Sequence, residues 1–288
     1  MKSKIIVILG QTATGKSNLA VKIAKKINGE IISADSRQVY KGLDIGTGKI
    51  TKKEMKGIPH HLLDVLNPKK KFTVVEYQKK AIYAIAEIVK RGKIPIICGG
   101  TGFYIDAITK GIVFPEVPPN LKLRKSLLQK DATALFYELQ KLDPIRAKNI
   151  DSKNKIRLIR AIEIAKALGK VPHLAVKPPS YKFIKIGLYL PENLLKKKIE
   201  KRVKKMFKNG LLNEIKKLKK PARLGGAGVS NKRLKELGFE YYNPTPEKVI
   251  NETLKYAKRQ MTWFKRDKEI KWFNASEVKN LREIIEIL

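Results

Sequence analysis

Eight residues, Gly10-Gln11-Thr12-Ala13-Thr14-Gly15-Lys16-Ser17, follow the apolar run Ile5–Leu9 with the spacing G-x-x-x-x-G-K-S. Glycines at both ends let such a loop curl so that successive backbone N–H groups point inward, and the helix that follows adds its positive N-terminus. The result is a grip for a di- or triphosphate. Lys16 offers a mobile positive charge to the terminal phosphates, and the Ser17 hydroxyl offers a ligand to a Mg2+ ion bound to the same oxygens. Leu19, Ala20, Ile23, Ala24 and Ile27 continue at helical spacing, so the loop has the strand before it and the helix after it that this chemistry needs.

Other residues could act beside it. Asp35 ends the apolar run Glu30–Ala34 and is followed by Ser36, Arg37 and Gln38. In a parallel sheet the carboxyl ends of neighbouring strands share an edge, which would bring Asp35 near the loop as a general base or metal-ordering carboxylate; a helix-capping role is the alternative. Gly99-Gly100-Thr101-Gly102 ends Ile94–Cys98 on the same edge, where glycines would admit a ligand to the backbone and Thr101 would offer a hydroxyl. No acidic residue follows Ile94–Cys98, which argues against an ATP-driven motor. His60, His61 and Asp64 have only His173 as a further histidine, so structural roles are expected for them rather than a metal site. Arg157 and Arg160 lie three apart with Glu163 a step beyond, either as a surface ladder or as contacts to an anionic partner.

These groups need a scaffold, and the composition bounds it. The chain has 288 residues, 43% of them hydrophobic, with a single cysteine, Cys98, inside an apolar run. An intrachain disulfide is excluded and a reducing, cytoplasmic setting is expected. The apolar runs are too short to span a membrane, and no export signal is read. Sixty-three Lys and Arg against 26 Asp and Glu give a net charge of +37. Twelve of the basic residues fall between Lys196 and Lys220, interleaved with apolar positions at helical spacing, which suggests basic helices facing a polyanion such as nucleic acid.

Strand-like runs at Ile5–Leu9, Glu30–Ala34, Ile94–Cys98, Ile184–Leu190 and Ile270–Phe273 alternate with helical periodicity. The prediction is an α/β fold: a P-loop NTPase-like parallel sheet flanked by helices. Helices are predicted to begin at the capping box Thr73-Val74-Val75-Glu76 and at Thr245-Pro246. Between the pairs Pro118-Pro119 and Pro178-Pro179 the chain is helical, with one apolar stripe through Leu121, Leu127, Leu128, Leu135, Phe136 and Leu139 and another through Ile156, Ile159, Ile162 and Ala165. Residues 117–180 therefore read as a helical insertion into a core of residues 1–116 and 181–288.

Taken together, these segments resemble the tRNA dimethylallyltransferase family (tRNA isopentenyltransferases), in its short bacterial form without the zinc-finger extension. The resemblance rests on Gly10–Ser17, the block Asp35-Ser-Arg-Gln-Val-Tyr-Lys-Gly-Leu-Asp-Ile-Gly-Thr-Gly-Lys49, Pro59-His-His-Leu-Leu-Asp64, Gly99–Tyr104, Arg157–Glu163, Arg202–Met206 and Lys258–Trp263. It implies transfer of a dimethylallyl group from its diphosphate to N6 of the adenosine 3′ of the anticodon. Lys16, Arg202 and a Ser17-held Mg2+ would neutralise the departing pyrophosphate, Asp35 would accept the N6 proton, and Thr101 would orient the same region. Ser36, Arg37, Gln38, Arg157 and Arg160 would touch the tRNA anticodon stem-loop, and a monomer is expected. Gln11 stands where the family usually has proline, and Glu240 where it commonly has a basic residue. The same core would also suit a small-molecule kinase, an enzyme prenylating free adenine nucleotides, or a non-catalytic RNA-binding ATPase; the basic charge weighs against the first two.

Overall fold

A computed structural model describes residues 3–173, 175–221, 227–277 and 282–286. The chain forms two compact units, Met1–Lys110 with Pro178–Leu288, and Gly111–Lys177. The first unit begins with β1 (Lys4–Gly10), α1 (Lys16–Ile27), β2 (Gly29–Ala34), the short α2 (Lys52–Met55) and β3 (His60–His61), then α3 (Val74–Lys90), β4 (Ile94–Gly99) and α4 (Gly102–Thr109). The second holds β5 (Ile112–Val113), α5 (Leu121–Leu127), α6 (Ala132–Leu142), α7 (Pro144–Lys148), α8 (Lys155–Leu168) and β6 (Ala175–Val176). The first unit then resumes with β7 (Lys182–Tyr189), α9 (Glu192–Lys208), α10 (Leu211–Lys219), α11 (Asn231–Leu237), α12 (Pro246–Phe264), β8 (Lys271–Asn274) and α13 (Arg282–Ile285).

The sheet of the first unit has the order β3-β2-β4-β1-β7-β8 and is parallel throughout. The strands read as continuous Ile/Val-rich runs because both faces of the sheet are covered. Ile5, Val7 and Leu9 pack toward α3 and α4, while Ile6 and Ile8 pack toward α1. The predicted strands stand within two residues of their observed limits. Thr73 forms its capping box with Glu76, and Thr245 caps α12 with proline in the first turn. What the register achieves is alignment: Gly10 pairs with Leu188 and Ala34 with Gly99, so the exits of β1, β2 and β4 share one edge.

In the second unit two expectations change. It starts at Gly111 rather than 117 and ends at Lys177 rather than 180, because β5 and β6 pair antiparallel and Lys177 N donates to Gly111 O at 2.8 Å. Helical periodicity carries no trace of that zipper. Leu121, Leu128 and Ile156, read as members of the apolar stripes, are 78%, 45% and 70% exposed. The core keeps Leu127, Leu135, Leu139, Ile159 and Ile162 from those stripes and adds Leu158. α8 is flanked by both α5 and α6, so its buried arc is wider than one stripe and includes Ala161 and Glu163.

Candidate active site

The edge where the strands end opens on a cavity of about 780 Å³ whose lining includes Thr12, Lys16, Ser17, Asp35, Arg37, Arg202, Glu240 and Tyr256. Its phosphate loop is held rigidly from below. Gly10 has φ +128°, and a Cβ there would fall 2.1 Å from Leu188 O, so only glycine lets β1 turn into the loop beside β7. Gln11 is buried; its carbonyl accepts from Thr14 Oγ1 at 2.8 Å and from Lys16 Nζ at 2.6 Å. Its side chain also works, since Oε1 accepts from Leu190 N at 3.4 Å. Ala13 and Gly15 both adopt positive φ, and a Cβ on Gly15 would meet nothing, which leaves that face of the loop open to a ligand.

Arg202 is the one basic residue of the Lys196–Lys220 segment that turns inward; the other eleven are exposed. Its guanidinium donates to Thr12 Oγ1 at 3.2 Å and to Thr47 O at 2.8 Å, joining the phosphate loop to the Asp35–Lys49 segment. The glycines of that segment make room for neighbours. A Cβ on Gly48 would lie 2.2 Å from Arg202 Nη2, and one on Gly46 would lie 2.6 Å from the Tyr241 ring. Buried Glu214 holds the segment in shape by accepting from the N–H groups of Asp44, Ile45 and Gly46 and from the Tyr241 hydroxyl. Lys49, its side chain 5% exposed, reaches Asp44 at 2.6 Å and Asp64 at 2.5 Å, so the aspartate of the His-His-Leu-Leu-Asp motif is a lock for this segment. His61 pairs with buried Glu30 at 2.7 Å, and His60 Nδ1 lies 2.8 Å from Ile58 O.

Asp35 Oδ1 accepts from Arg37 N at 2.8 Å and Gln38 N at 3.2 Å. This is the capping pattern read from sequence, but it occupies one oxygen only. Among the described residues Oδ2 takes no protein hydrogen bond, so the same carboxylate can cap and still accept a proton. Thr101 Oγ1 accepts from Ser36 N at 3.0 Å, which ties the exit of β2 to the start of α4. Gln38 Nε2 points to Thr47 O at 3.5 Å, and Arg37 donates to Glu236 O at 2.6 Å. Gly99 and Gly100 line the cavity, and Gly99, Gly100 and Gly102 also make room for the protein's own atoms. A Cβ on each would fall 2.2 Å from Ala34 O, 2.1 Å from Gln260 Nε2 and 2.3 Å from Trp263 Cδ1. The glycine turn is a docking seat for α12.

Burial sets the charges. It lowers the Lys16 ammonium to about 8, with Arg202 pushing in the same direction. Burial also lowers Arg202, which remains a cation at neutral pH because a guanidinium starts so high. Glu240 moves the other way: burial raises its carboxyl to about 7 against the pull of Arg37 and Arg202. Cys98 is raised to about 11 by burial and is an inert thiol beside Lys16. Tyr104 and Tyr256 are likewise pushed up by burial and stay neutral.

Arg157 is exposed at the first turn of α8, as a contact residue should be. Arg160 is committed elsewhere: it pairs with Glu163 and donates to Val117 O at 2.9 Å. Glu163, its side chain 1% exposed, also binds Arg124 at 2.6 Å and Asn120 N at 2.7 Å. The carboxylate of this cluster is buried, while Arg124 and Arg160 keep 34% and 35% of their side chains exposed.

Sequence reasoning assigned no role to Glu214, or to Gln260 within the Lys258–Trp263 segment. Gln260 could have been found, because it shares the core-facing side of α12 with Ala257 and Phe264, where a polar residue needs a partner. Glu214 offered less signal, as one acid among many lysines.

A Gly-rich phosphate cradle with an inward arginine and a carboxylate on the neighbouring strand exit defines a P-loop α/β enzyme built to work on a phosphorylated donor. The family described as IPP transferase matches residues 38–267, and the chain belongs to it. It is 42% identical to the tRNA dimethylallyltransferase of Caldanaerobacter subterraneus subsp. tengcongensis, over 99% of this chain and 96% of that protein. It is 37% identical to the tRNA dimethylallyltransferase of Bacillus subtilis (strain 168), over 96% of this chain and 92% of that one. The solved full-length tRNA isopentenylpyrophosphate transferase from Bacillus halodurans superposes with a TM-score of 0.69 at 36% identity, covering 99% of this chain and 94% of its own. A eukaryotic dimethylallyltransferase captured acting on tRNA gives a TM-score of 0.78 at 27% identity, covering 97% and 75%.

Proposed function

We propose that this protein transfers a dimethylallyl group from dimethylallyl diphosphate to N6 of the adenosine immediately 3′ of the anticodon in tRNAs, releasing pyrophosphate. The observation that carries the reading is the meeting, in one cavity, of the phosphate loop, Arg202 and the half-free Asp35 carboxylate, in a chain of this family. The allylic C1–O bond breaks with its electron pair leaving on pyrophosphate. The loop amides, Lys16 and Arg202 stabilise that developing charge. N6 forms the new bond to C1, and its proton passes to Asp35 Oδ2 and then to solvent. Thr101 holds Ser36, and with it the Asp35 turn, in place.

Mg2+ fits this donor set. Ser17 and Asp35 supply hard oxygens to the cavity, and the described residues contain no cluster of three metal-binding side chains. Mg2+ typically takes one or two protein ligands and completes its shell with phosphate oxygens and water. When bound, it would add positive charge to the diphosphate oxygens.

The target adenosine has to leave its stack to reach such a cavity, and an anticodon loop, already partly open, makes this cheap. Ser36, Arg37 and Gln38 line the same cavity and would hold the extruded base or its neighbours. Arg157 and the exposed lysines of α9 and α10 offer phosphate contacts; among the described residues none of those lysines forms a direct ion pair with a carboxylate. No described helix is long and apolar enough to cross a membrane. A monomer acting on tRNA in the cytoplasm is the simplest setting for this reaction.

The test is to incubate the protein with Mg2+, dimethylallyl diphosphate and unmodified tRNA and to weigh the tRNA by mass spectrometry. A single alkyl adduct that disappears when the target adenosine is replaced is the expected result. No adduct, or one indifferent to that replacement, overturns the reading. Asp35→Ala is expected to lower turnover about 100-fold or more while tRNA binding changes only a few-fold.

A further inference from the structure

Gln260 is 5% exposed on the core-facing side of α12. An amide at such a position is destabilising unless both of its ends are satisfied. Both are: Oε1 accepts from Thr12 N at 2.8 Å, and Nε2 donates to Gly100 O at 2.8 Å. The two partners belong to opposite halves of the reaction. Thr12 lies in the diphosphate cradle and its hydroxyl receives Arg202, whereas Gly100 precedes Thr101, which holds Ser36 next to Asp35.

The backbone is shaped to this amide. A Cβ on Gly100 would lie 2.1 Å from Gln260 Nε2, and the nearest atom outside that amide would be Gly10 O at an unstrained 3.7 Å. Gly100 does not adopt positive φ. Among the protein's own atoms, Gln260 is the neighbour that requires its lack of a side chain.

We infer that Gln260 is a positioning residue that fixes the spacing between the leaving-group cradle and the proton-accepting edge, with Gly100 as its seat. The inference rests on the transferase reading above. Alkyl transfer needs N6 within near-attack distance of C1 as the C1–O bond loosens. If the cradle drifts, pyrophosphate still departs with the bond's electron pair, but water attacks C1, loses a proton to solvent and yields a free prenyl alcohol. Loss of Gln260 thus uncouples cleavage of the donor from alkylation of the acceptor, which a residue serving only stability would not do.

The experiment compares Gln260→Ala, the volume-preserving Gln260→Met, Gly100→Ala and the double variant Gly100→Ala/Gln260→Ala. Pyrophosphate and alkylated tRNA are measured in parallel, and amide hydrogen exchange is followed in peptides covering residues 10–17 and 99–102. Each single variant is expected to lower kcat by about 10- to 100-fold, to leave KM for dimethylallyl diphosphate within about threefold, and to release pyrophosphate in excess of alkyl product. The double variant should be no worse than Gln260→Ala, since the added methyl then enters the space the amide leaves. Exchange should rise in both peptides together in Gln260→Ala. Multiplying losses in the double variant, faster exchange in one peptide only, or an unchanged ratio of pyrophosphate to alkyl product overturns the inference. Wild-type protein that makes no alkylated tRNA refutes the reaction itself, and the exchange result still decides whether the bridge exists.

Discussion

Lys16 and Glu240 show how single residues are tuned here, and each makes a prediction. Lys16, lowered to about 8 by burial, loses its charge above that pH and with it the pairing to diphosphate. kcat/KM for dimethylallyl diphosphate, which reports the free enzyme, should fall about tenfold per pH unit above roughly 8. Lys16→Arg, slower throughout, should lack that alkaline limb, because a guanidinium does not titrate there. Glu240 is raised by burial from its ordinary 4.5 to about 7, so the folded state binds more protons than the unfolded state between those values. Folding stability from this group is therefore greatest below pH 4.5 and is lost as the pH rises through 7. Glu240→Gln should stabilise the protein at pH 8 by up to about 3 kcal/mol, with most of the gain gone at pH 5, as measured by denaturant titration at the two pH values. At this scale the sequence revealed which residues to watch, such as Asp35. It did not reveal that Asp35 caps with one oxygen and leaves the other to substrate, since that depends on how the Arg37 and Gln38 amides turn.

Among the elements, strands and long helices were readable because β-branched runs and capping boxes are local signals. Contacts made at a distance were not. Gly99–Gly102 do not tell in sequence what lies against each of them; in the fold Gly99 and Gly100 line the cavity and Gly102 lies against Trp263. Arg160 pairs with Glu163 as its spacing suggested, but that this glutamate is buried and shared with Arg124 was not legible. Gly48 provides a test of such packing. A methyl there would occupy the place of Arg202 Nη2, and with φ +56° the position is strained for any side chain. Gly48→Ala should therefore imitate Arg202→Ala, raising KM for dimethylallyl diphosphate by about tenfold or more in steady-state kinetics. Combining the two should add little.

For the whole molecule, the excess of basic residues predicts tRNA binding that weakens steeply with salt. Changing exposed α9 lysines such as Lys197, Lys201 and Lys204 to glutamine should lower the slope of log affinity against log salt, in filter-binding titrations, by roughly 0.7–0.9 for each phosphate that is no longer neutralised. Charge was legible from composition, whereas the inward turn of Arg202 out of that face needed the fold. The bridge from Thr12 to Gln260 spans 248 positions in the chain. Synthesis proceeds from the N-terminus at about 5–20 residues per second, so β1, its loop and the lysines of α9 all leave the ribosome before α12 arrives to brace them. The apolar side of α9 packs on α12 as well, so the basic face and the braced centre both reach their final form only when nearly all of the chain has been made.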